Sequence, residues 1–125
     1  MLGTTIFLLH VLVLSFISDL ISGSPSSLQI SSSGGARTAY PSYIGEYELV
    51  GSGNGPIYKH LSEQAYLYKN GPHQWAVGET ITVDDAKFVT YTEKEFYNPP
   101  KEGWQYNDRG IFISDPTLVL RFLDI

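Results

Sequence analysis

The sequence contains no cysteine, which excludes disulfide bonds, thiolate nucleophiles and cysteine-ligated metal centres. It contains no Asn-x-Ser/Thr sequon, because each Asn is followed by Gly-Pro, Pro-Pro or Asp-Arg, so N-glycosylation is not expected. No apolar run reaches the roughly 20 residues that a membrane-spanning helix needs. There is no basic cluster either. Eight Lys and Arg are scattered from Arg37 to Arg121 in a chain of net charge −5, so neither nucleic acid nor, in the mature form, a membrane is an expected partner. Gly-x-Ser-x-Gly is missing, and Gly51-Ser-Gly-Asn-Gly55 lacks the Lys-Ser/Thr and the helix of a phosphate loop.

What is present begins with an apolar stretch, residues 6–17, broken only by His10 and Ser15. Its length suits the core of a signal peptide, and it shows no polar face at helical spacing. Ser22, Gly23 and Ser24 are small, and Pro25 stops a helix. Residues 1–23 are therefore read as a signal peptide cleaved near Gly23, and the protein as secreted. The mature chain keeps eight basic residues against twelve acidic ones. Residues 24–39 are rich in Ser and Gly, with Leu28 and Ile30 as the large aliphatic side chains. That composition predicts a disordered lead.

From Tyr40 onward the composition changes. All nine Tyr, both Trp and four of the six Phe lie in residues 40–125, and aromatic rings bury much area per residue ordered. This compensates for the missing disulfides in a small secreted domain. Turn signals recur every 8–15 residues between short β-forming runs. Residues 45–50 alternate, with Tyr47 and Leu49 on one face and Glu46 and Glu48 on the other. Further strands are predicted at 57–61, 65–69, 74–77, 81–83, 87–92, 104–106, 111–114 and 118–122. Asn70-Gly71 marks a hairpin that Pro72 and His73 lengthen. Pro99 and Pro100 make residues 97–103 a loop. The expected fold class is all-β: a small antiparallel meander or barrel-like sheet of six to eight short strands.

Catalytic and metal chemistry finds little support. The mature chain has two histidines, too few for a structural zinc site without cysteine. His60 reads as a half-buried strand residue and His73 as an exposed turn residue. Asp84-Asp85 lacks the spacing and central Gly of a calcium loop. Glu46 and Glu48 form a commonplace acidic pair on a solvent face. No catalytic residue, metal or cofactor is assigned. One candidate binding feature remains: Tyr66 and Tyr68 share a face, and Tyr58 lies on the strand before them. Exposed, such rings would stack on sugars or dock on a protein; inward-facing, they are core.

Gly45-x-Tyr47, Asn54-Gly55-x-Ile57-Tyr58-x-His60, Tyr66-Leu67-Tyr68, Trp75-x-Val77-Gly78 and Trp104 after Pro99-Pro100 together resemble a small β module of unassigned activity that recurs in invertebrate extracellular proteins. Pro56, placed directly before Ile57 and Tyr58, departs slightly from that pattern. The matching positions are turn and core residues, so the resemblance implies a fold more than a function. The layout of signal peptide, low-complexity lead and one domain is similar to that of molluscan shell organic matrix proteins. The resulting expectation is a non-enzymatic structural or binding protein of an extracellular, calcified matrix. Its partners would be a matrix polymer or protein and a mineral surface. The alternative is a soluble carbohydrate- or protein-binding module that uses an aromatic face.

Overall fold

Alternation of apolar and polar side chains turns each β-forming run into a strand with one buried face. The computed structural model describes residues 23–123. Among them are nine strands: β1 (Ser27–Ser31), β2 (Gly45–Ser52), β3 (Pro56–His60), β4 (Tyr66–Lys69), β5 (Gln74–Gly78), β6 (Ala86–Tyr91), β7 (Gln105–Asp108), β8 (Ile111–Ser114) and β9 (Val119–Phe122). One short helix, α1 (Gly35–Ala39), and 3-10 turns at Pro41–Tyr43 and Val83–Asp85 complete the regular structure. All neighbours pair antiparallel in one curled, half-barrel sheet of order β8-β7-β6-β5-β4-β3-β2-β1-β9. None of the described helices is long and apolar enough to cross a membrane.

Strand register assembles the core. Leu49, Tyr58, Leu67, Val77, Phe88 and Tyr106 lie directly opposite one another across six strands. A parallel row joins Phe122, Leu28, Tyr47 and His60. Tyr47, Tyr58, Leu67, Val77 and Phe88 are fully buried, each worth about 1.5–3 kcal/mol of apolar transfer. The inward tyrosines deliver their hydroxyls to backbone carbonyls: Tyr47 to Tyr43 at 2.7 Å and Tyr58 to Pro25 at 2.8 Å. Half-buried Tyr40 reaches Asn107 O at 2.7 Å. Burial holds the Tyr47 phenol protonated far above its usual range. The opposite face carries a smaller apolar patch of Tyr68, Ala76, Ala86 and Val89.

A side-chain network ties the turn before β9 to the chain that follows β1. Asp115, in the turn between β8 and β9, is 4 % exposed. Its carboxylate accepts from Ser32 Oγ (2.9 Å), the Ala36 N–H (3.0 Å), the Thr117 N–H (2.9 Å) and Thr117 Oγ1 (2.7 Å). The C-terminal turn is thereby pinned to the segment between β1 and α1. Gly34 and Gly35 make this approach possible, since a Cβ on Gly34 would sit 2.8 Å from Asp115 Oδ1 and one on Gly35 would run into the Tyr106 hydroxyl.

The segment read as a disordered lead is therefore ordered and central. β1 lies between β2 and β9, with Leu28 and Ile30 buried. Its serines and Gln29 take the polar positions of a strand whose two edges are both paired, and Ser32, Gly34 and Gly35 serve the Asp115 junction. The strand count is nine, above the six to eight expected, and β1 is the strand that no predicted run covers. Residues 81–83 form no strand; Val83–Asp85 is a 3-10 turn. The signal-peptide expectation falls almost wholly on residues 1–22, outside the described residues.

Candidate functional site

The three sequence-nominated tyrosines do not share a face. Tyr58 is opposite Leu67 and points into the core, fully buried. Tyr66 and Tyr68 alternate with Leu67 and so point to the other face, where Tyr68 is 2 % exposed and Tyr66 half-buried. Burial, then the charges of Asp85 and Asp84, push the Tyr68 phenol up to about 12. The cause of the split is strand periodicity: Tyr58 and Tyr66 belong to different pleat phases once the register is known. Neither histidine offers a free base beside a nucleophile. His60 Nδ1 accepts the N–H groups of Ser62 and Glu63, both at 3.1 Å, and Nε2 donates to Ile44 O at 2.9 Å. This leaves the ring as a brace for the β3–β4 turn. Gly45, at φ +137°, admits it, because a Cβ there would stand 2.7 Å from Nε2. His73 sits exposed in the β4–β5 turn, and its carbonyl accepts the Thr92 N–H at 2.9 Å.

A different set of rings is exposed. Tyr91, Phe96 and Tyr97 are 63, 41 and 54 % accessible. They line an open cleft of about 720 Å³ together with Asn98, Pro99, Pro100, Lys101, Glu102 and Phe122. The cleft is built by residues 92–104, the connection from β6 to β7. A connection of that length without regular structure is uncommon in a small domain and is usually functional or disordered.

This one is tied down throughout. Thr92 Oγ1 donates to Lys94 O at 2.6 Å, and Thr90 Oγ1 to Gly103 O at 2.9 Å. The Leu120 N–H donates to Lys101 O at 2.9 Å. Pro99 and Pro100 are buried. Trp104, 1 % exposed, anchors the loop in the core and donates from Nε1 to Pro100 O at 2.8 Å. Lys101 Nζ lies 5.1 Å from the centre of the Phe122 ring, a cation–π distance. Asn98 Oδ1, also at the cleft, is buried and has no hydrogen-bond partner among the described residues.

One wall of the cleft is electrostatic. Lys69, on the inner face of β4, has a side chain 6 % exposed, and its ammonium meets Glu95 Oε2 at 2.6 Å. The hydrogen bond from Lys69, then its positive charge, hold the Glu95 carboxyl below the usual range. The pair therefore favours the closed loop while Glu95 is charged and lets go as pH falls through that lowered value. In a carbon-detected NMR titration, the Glu95 carboxyl is expected to titrate below an ordinary glutamate and to return to the ordinary value in Lys69→Met.

Sequence reading missed this site because Tyr91, Phe96 and Tyr97 have no common period. The available signal was Pro99-Pro100, which forces a loop and keeps Phe96 and Tyr97 out of the ladder. No protein-family model, curated protein or solved structure matches this chain.

Proposed function

We propose that this chain is a secreted, non-enzymatic binding protein of an extracellular matrix that grips a matrix polysaccharide in the cleft over residues 92–104. The observation that carries this reading is the presentation of three solvent-exposed rings, Tyr91 at the end of β6 and Phe96 and Tyr97 on a loop already held by Trp104, Thr90, Lys69 and Leu120. Aromatic faces stack on the C–H faces of sugars. The exposed Glu102 and Lys101 offer polar groups to hydroxyls. Because the loop is ordered beforehand, little entropy is lost on binding.

The test is co-sedimentation with insoluble polysaccharides, followed by affinity electrophoresis in soluble ones. Phe96→Ala with Tyr97→Ala is expected to weaken retention roughly 10- to 100-fold while melting within a few degrees of wild type, since both rings are exposed. Failure of the wild type to be retained by neutral, acidic and amino-sugar polymers alike would defeat the reading. The calcified form of the matrix reading has its own check, which is detection in decalcified matrix extract as opposed to body fluid alone.

A further inference from the structure

The sheet has two edges, and they are treated differently. Along β9, the β6–β7 loop lies against the edge, with the Leu120 N–H bonded to Lys101 O, and Arg121 adds a charge. At β8 the ladder ends. Among the described residues no backbone hydrogen bond reaches its outer side. β8 reads Ile-Phe-Ile-Ser, without charge, proline or bulge, and those are the devices that usually guard an edge. Ile111 is 68 % and Ile113 38 % exposed.

The hairpin that makes β8 determines which of its groups point outward. Arg109 (φ +56°) and Gly110 (φ +94°) form a two-residue loop with both φ values positive, so Asp108 and Ile111 are its hydrogen-bonded closing pair. Alternation then directs the Ile113 groups to Tyr106 and the N–H and C=O of Phe112 and Ser114 away from the sheet.

We infer that β8 is a self-association edge, and that the occupant is the β8 of a second copy of this chain, antiparallel about a two-fold axis at Ile113. In that register Phe112 of each copy is opposite Ser114 of the other, and all four outward donors and all four outward acceptors are satisfied. Ile113 faces its own counterpart in the non-hydrogen-bonded, closer pair, and Ile111 lies diagonally across from it. Charge points the same way. In a chain of net charge −5, residues 109–114 hold one base, Arg109, and no acid, so two copies meet at this stretch with less repulsion than elsewhere. The contact is small. One short strand per copy covers far less than the roughly 800 Å² per partner of a standard interface, so the dimer is weak and its detection needs high concentration.

The experiment is sedimentation equilibrium of the purified protein from about 10 µM to about 1 mM, a range matched to a weak interface. The expected result is a weight-average mass rising from one copy toward two. Ile113→Lys sets two added charges directly opposite each other, and Ser114→Pro deletes an outward N–H without touching the β7–β8 ladder. Each is expected to shift the association midpoint upward by roughly tenfold or more. Near-UV circular dichroism shows whether each variant is folded; should Ser114→Pro fail to fold, Ile113→Lys decides. Mixed-label NMR should show Ile113 methyl contacts between copies. A wild type that stays monomeric throughout, or one whose association both folded variants retain, overturns the inference.

Discussion

Asp115→Ala is expected to lower stability by about 3 kcal/mol or more, measured by denaturant unfolding, through the loss of one buried multi-dentate acceptor. The carboxylate takes four hydrogen bonds from Ser32, Ala36 and Thr117 at 2.7–3.0 Å. Alanine would leave the Ala36 and Thr117 N–H groups aimed at a void. Asn is no remedy, because whichever oxygen it replaces, its NH₂ then faces a donor. Asp115→Asn is therefore expected to recover at most about half of the loss. For a domain of this size, 3 kcal/mol corresponds to a melting temperature lower by roughly 10–20 °C.

The pH dependence follows from the same contacts. Burial alone would raise the Asp115 pKa, but the hydrogen bonds from Thr117, Ala36 and Ser32 outweigh it and hold the carboxyl below its ordinary value. Its contribution is thus complete above the ordinary Asp range and disappears as pH falls through the lowered folded-state value. Acid unfolding of the wild type should include this step, and Asp115→Asn should lack it.

Trp104→Ala is the second large effect, expected at about 3–5 kcal/mol for removing a fully buried ring and leaving a cavity. It differs from other core truncations because Trp104 also holds the cleft loop, through Nε1 and Pro100 O at 2.8 Å. The variant is therefore expected to lose polysaccharide retention even at temperatures where it remains folded. Trp104→Phe separates the two roles. It keeps most of the packing and deletes the hydrogen bond, at about 1 kcal/mol for the bond plus a smaller packing loss. The backbone amides of Asn98, Lys101, Glu102 and Gly103 should then exchange faster with solvent while those of β4 and β5 stay protected.

How far the fold was legible depends on which residues carried the signal. The alternation of Tyr47 and Leu49 with Glu46 and Glu48 gave the inner face of β2 directly, and Asn70-Gly71 gave the β4–β5 hairpin, where Gly71 adopts φ +93°. β8 was read with its observed bounds, Ile111–Ser114. β1 was missed because a mean over a Ser-rich stretch conceals two side chains at spacing two. Leu28 and Ile30 suffice for a strand when both neighbours supply hydrogen bonds, and those neighbours lie 15 to 94 positions away. Tyr58, Tyr66 and Tyr68 were correctly placed on adjacent strands. Which face each took depended on register, a property of pairs of strands that no single run reveals. The cleft was less legible still, since Phe96 and Tyr97 come from an irregular connection whose shape is set by long-range bonds to Lys69, Leu120 and the core.

The placement of β1 between β2 and β9 has a consequence for synthesis. Of these nine strands a ribosome makes β1 first and β9 last, so β1 has only one neighbour until β9 has emerged. Asp115 cannot dock on Ser32 and Ala36 until shortly before then. Closure over such separations is slow compared with local hairpins, and the outer side of β1 stays unpaired while β9 is still in the exit tunnel.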